Sequence, residues 1–132
     1  MFKTSLTEAL VDHFPRVKFY FNSASNVIAT IQQIHRSWEP IIICDDGDEV
    51  TVYFGHFTHK HYGYYGESTD PMLMARTVAS DVVEDMKLVF DDQLEFYKFG
   101  GGGGSRPRGK QGKLSKLLFG IRGVVWSGGV SP

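Results

Sequence analysis

Five consecutive glycines, Gly100 to Gly104, followed by Ser105, break the chain into two unlike parts. Glycine loses the most backbone freedom on folding and brings no side chain to a core, so the run reads as an interruption of structure. As a flexible tether it spans about 13 Å on average. The string from Gly101 to Ser105 also matches the repeat with which two proteins are joined by design, so the tether reads as either native or introduced. The expected organisation is an acidic α/β domain over 1–99, a Gly/Ser linker over 100–105, and a basic, apolar segment over 106–132. That segment is either the chain's own tail or a fused ligand.

Charge follows the same division. Residues 1–99 hold all 15 acidic residues against eight basic ones, a net of −7, whereas 106–132 hold six basic residues and no acid, a net of +6. Asymmetry of this kind reports on partners more than on fold. With 42% hydrophobic and 14% aromatic residues in 132, there is enough apolar material for one core, and global disorder is excluded. Met1 to Leu10 mixes Lys3 and Glu8 into an amphipathic run, so no signal peptide or membrane span is expected there, and a cytoplasmic location is the default. The single Cys44 lies in an apolar run and reads as a buried structural thiol.

Ser5 and Glu8 have the form of a capping box, which predicts a first helix through His13 that ends at Phe14-Pro15. Val17 to Phe21 alternates as a strand. Val27, Ile28, Ile31, Ile34, His35 and Trp38 fall on one helical stripe behind Ser23 or Ser25 and before Pro40, so a second helix is expected there. Ile41 to Cys44 is apolar on both faces and reads as a central strand; Val50 to Phe54 returns from a turn around Gly47. His56 to Gly66 reads as a frayed strand end and loop. Asp70-Pro71 opens the longest helix, and Leu94 to Phe99 is the last strand.

After an N-terminal helix, this order is βαββαβ-like. The expected fold is α+β, with two helices on one face of a four-stranded antiparallel sheet, then a Gly-rich linker and a basic apolar segment. The bare face of such a sheet is the expected working surface, carrying Tyr20, Tyr97 and Phe99 and edged by Asp45, Asp46, Asp48, Glu49, Asp91, Asp92 and Glu95. Opposite these, Arg106 and Arg108 supply cations. Leu114, Leu117, Leu118, Phe119, Ile121 and Trp126 supply apolar anchors; burying Leu117, Leu118, Phe119 and Trp126 contributes about 1.5 to 3 kcal/mol each, more than exposed charge pairs give.

His56, His59 and His61 form a cluster that points to a metal, with His59 and His61 on one strand face and His56 on the other. The chain has no nucleophile elbow, P-loop or dinucleotide fingerprint. The expectation is a non-enzymatic protein-binding module that needs no cofactor. It captures a basic, apolar segment of another protein, represented by 106–132, as a dedicated chaperone, adaptor or immunity-type inhibitor does. Specific nucleic-acid binding is not expected of an acidic body, and homo-oligomerisation or segment exchange is compatible with so short a tether. The alternative is a metal-binding domain or metal-dependent enzyme built on the His56 to His61 hairpin.

Overall fold

The computed structural model describes residues 1–22, 25–99, 101–108 and 123–129. The elements in order are α1 (Lys3–His13), β1 (Tyr20–Phe21), β2 (Val27–Ile31), β3 (Ile41–Asp45), β4 (Glu49–Phe54), β5 (Thr58–Gly63), α2 (Pro71–Phe90), β6 (Leu94–Phe99) and β7 (Gly102–Pro107). Strands β1 to β5 form one antiparallel sheet in chain order, and β6 pairs with β7 in a second sheet.

The expected four-stranded βαββαβ arrangement is therefore wrong, for two local reasons. Residues Val27 to Ile31 form strand β2 rather than a helix, with Ile28, Ala29 and Ile31 buried. Four of these five residues are β-branched and lose side-chain freedom in a helix, and this outweighs the 3.6-residue periodicity of the stripe. A bulge between Val27 and Ala29 lets both Ile28 and Ala29 turn inward, and Ile34, read as a core position, is 70% exposed. The second reason is the stretch taken for a loop, where Thr58 to Gly63 pairs along the whole of β4 as the fifth strand.

The two helices pack on each other and on one side of the large sheet. Phe2, Leu6 and Leu10 recur every four residues and are buried, so α1 presents one stripe to α2 and β2. The capping box is not used: the helix begins at Lys3, and its N-cap residue Phe2 makes no side-chain cap bond. At α2 the expected start holds, with Asp70 accepting the Met72 N–H at 3.1 Å and Pro71 in the first turn. Its buried stripe runs from Ala75 through Val78, Val82 and Met86 to Val89.

Gly102 to Gly104, within the run read as a tether, open strand β7, so the expected linker fails here too. Glu95 faces Arg106, Tyr97 faces Gly104 and Phe99 faces Gly102 across the β6–β7 ladder. Gly103 approaches the turn between β4 and β5 so closely that a Cβ there would lie 2.0 Å from the carbonyl oxygen of Phe57. A missing side chain is what this packing requires.

Residues 123–129 return to the opposite side of β6, where Phe96 and Val124 exchange backbone bonds of 2.9 and 2.8 Å. This brings Trp126, 4% exposed, into the core. Its ring lies 4.9 Å from that of Trp38, which also meets Phe57 and Phe96 edge-on at 4.9 Å each. The Trp38 indole N–H donates to the Val125 carbonyl at 2.9 Å, so the polar end of the buried ring is satisfied. Leu114, Leu117, Leu118, Phe119 and Ile121 lie outside the described residues.

Gly103→Ala should destabilise the protein by about 1–3 kcal/mol through overpacking. Gly101→Ala, where a Cβ meets nothing within 4 Å, should leave the urea midpoint unchanged. In the same titration Trp126→Ala should cost about 3–5 kcal/mol. Neutrality of Gly103→Ala and Trp126→Ala together would restore the tether.

Candidate functional site

The register of the large sheet sorts its side chains into two faces. Ile41, Ile43, Val50, Val52, Phe54 and Tyr62 are buried on the helix side. On the other side, cross-strand partners form two rows: Tyr20, Thr30, Ile42, Tyr53 and His59, and beside it Val27, Cys44, Thr51 and His61. This outer face carries no helix among the described elements, and Tyr20 and Tyr53 are 49% and 42% exposed on it.

Acidic side chains collect where this face meets the β5 edge. The β3–β4 turn is held by Asp45, whose carboxylate accepts the Gly47 N–H at 2.9 Å and the Phe2 N–H at 3.4 Å. Gly47 takes a φ of +97°, which a residue with a side chain rarely adopts. Asp46, Asp48 and Glu49 project from this turn. The buried Thr51 hydroxyl donates to the Asp46 carboxylate and lies 2.9 Å from His61 Nδ1, itself 3.0 Å from Glu49 Oε1. Such an arrangement is satisfied when His61 carries its proton on Nδ1 and gives it to Glu49. Beneath, Cys44 is 8% exposed; burial, then the Asp46 charge, push its thiol up, as suits an inert structural cysteine.

Helix α2 supplies the second acidic wall. Asp81, Glu84 and Asp85, at i, i+3 and i+4, line a 320 Å³ groove with Lys60, His61, Tyr62 and Tyr65. Asp85 accepts both the Tyr62 hydroxyl at 2.6 Å and the Lys60 ammonium at 2.7 Å. Burial, followed by the Asp85 hydrogen bond and charge, pushes the Tyr62 phenol above its ordinary range, so it stays a donor. Asp81 and Glu84 are exposed, as is Tyr65 at 89%. The detectable signal was their spacing on one stripe, but only the pairing of β5 shows what that stripe adjoins.

The other expected site residues are dispersed. Tyr97 belongs to the small sheet, under the Arg106 guanidinium at 4.5 Å, and so is separated from Tyr20; Phe99 ends the same strand. Glu95 is fully buried and pairs with Arg106 at 2.5 Å. Asp92, at a φ of +56°, accepts the Ser127 N–H at 3.0 Å and its hydroxyl at 2.5 Å. Asp91 caps the end of α2, and the Arg108 N–H donates to the Gln93 carbonyl at 2.9 Å. Glu95, Asp92, Arg106 and Trp126 thus hold the chain to itself.

Two of the three histidines of the hairpin come together: the His59 and His61 rings meet edge-to-face with centroids 5.1 Å apart. His56 packs on Phe57 at 4.2 Å, His59 also on Tyr53 at 5.6 Å, and of the three only His61 pairs with a carboxylate among the described residues. The ligand atoms of Asp46, Glu49 and His61 lie within 4.8 Å of one another, and this donor set suits a divalent cation. No protein-family model, curated protein or solved structure matches the chain.

Arg106→Ala leaves the Glu95 carboxylate buried without its guanidinium. The expected loss of stability in a denaturant titration is about 3–5 kcal/mol, larger than any exposed ion pair supplies.

Proposed function

We propose that the protein is a non-enzymatic binding module that captures a basic, apolar segment of a partner protein along the outer edge of β5. A dedicated chaperone, an adaptor and an immunity-type inhibitor all fit this description. The observation that carries it is the flanking of one edge strand by carboxylates on both sides: Asp46 and Glu49 from the β3–β4 turn, Asp81 and Glu84 from α2. Strand β5 is the last in its sheet and β7 lies beside its start without pairing with it, so among the described residues the β5 edge has no ladder partner and can receive an added strand.

The division of labour follows from magnitudes. Exposed charge pairs contribute under about 1 kcal/mol each, whereas a buried apolar side chain contributes about 1.5 to 3 kcal/mol. Affinity therefore comes from apolar contact with Tyr53, Tyr65 and Ile42, and the carboxylates set encounter rate and orientation. The partner's segment is distinct from the chain's own Arg106 and Trp126, which are engaged inside the fold.

A short peptide alternating lysine and valine serves as probe for calorimetry on the full chain. Binding is expected at low salt, weakening steeply as salt rises, since exposed charges are screened. Asp81→Lys with Glu84→Lys should abolish it, and a serine–valine peptide should not bind. No heat at low salt, or binding indifferent to the charge reversal, would sink the reading.

The grouping of His61 with Asp46 and Glu49 favours metal binding as a second reading. Under it, zinc binds the full chain at neutral pH, His61→Ala removes that binding and His59→Ala leaves it intact; equal effects of the two substitutions would exclude it.

A further inference from the structure

At the edge of the sheet opposite the acidic groove, a cavity of about 470 Å³ opens beside β1 and β2. That volume lies within the range of small-molecule sites, roughly 300 to 1,000 Å³. Its apolar lining comes from Trp126, Phe90 and Ile31, so the aromatic core is accessible from this side. Arg16 and Lys18 stand at its rim, and no carboxylate lines it among the described residues. Neither cation has an ion-pair partner among the described residues, although Lys18 is placed 5.1 Å over the ring of Tyr20.

We propose that this cavity binds a small aromatic anion. The flat apolar body packs against the wall made by Phe90, Ile31 and the edge of Trp126, and the anionic group meets Arg16 and Lys18. Indole carboxylates have this chemistry. The site is separate from the β5 edge, so each stands or falls alone.

The test titrates the full chain with indole-3-propionate, followed by backbone amide shifts and the Trp126 indole N–H signal. Saturable shifts are expected at Val17, Gln33, Ile34 and Phe90. The neutral twin 3-indolepropanol should bind about tenfold more weakly or worse, the loss of a charge-assisted contact. Arg16→Ala with Lys18→Ala should lose affinity to the same degree. Ile34→Asp, at a rim position 70% exposed, leaves the fold intact and should repel the anion. Absence of saturable shifts, equal affinity for the neutral twin, shifts confined to Asp81–Asp85, or indifference to Ile34→Asp would each overturn the proposal.

Discussion

The fold depends on one buried contact, Trp38 against Trp126, closed by the hydrogen bond from the Trp38 indole to Val125. These partners are 87 residues apart along the chain. Around them Phe57, Phe96 and Phe90 complete a cluster that belongs to neither sheet alone. It fixes the small sheet against the end of the large one, with β7 beside the start of β5, and that placement leaves the outer face of the large sheet without a helix among the described elements. The same cluster floors the cavity at the opposite edge. The cavity thus lies directly on this contact, whereas the acidic groove stands away from it.

Glu95 and Arg106 reinforce this junction from the other face of β6. A fully buried carboxylate is tolerated because the guanidinium directly across the ladder answers it and is itself spread over the Tyr97 ring. Gly104 allows that ring to lie flat, since a Cβ there would come within 2.6 Å of the Tyr97 hydroxyl oxygen. The glycines and the arginine of β7 act together, as clearance and as countercharge.

Much of the architecture was legible where local rules agree. Asp70-Pro71 with its long apolar stripe marks α2, and Ile41 to Cys44 marks the middle strand of the large sheet. Legibility failed where two patterns coincide. Val27 to Trp38 satisfies a helical stripe and a β-branched strand at once, and only pairing with β3 decides between them. The glycine run failed for a different reason: its fitness lies in the backbone it approaches, Phe57, which no local pattern names. The acidic turn around Gly47 was readable as a surface feature, whereas its companion wall on α2 was not, since that depends on β5. Charge counting saw complementarity between the two parts of the chain, and Glu95, Asp92, Arg106 and Trp126 show how much of it is internal.

The position of Trp126 also bears on how the chain is made. During synthesis, Trp38, Phe57 and Phe96 leave the ribosome well before the residue that covers them. Until Trp126 emerges, the nascent chain holds an aromatic hollow open to its surroundings, and closing the long loop back to Trp38 is an entropically slow step. Trp126 is what seals this core, so from the appearance of Phe96 until Trp126 follows the growing polypeptide depends on whatever shields that hollow.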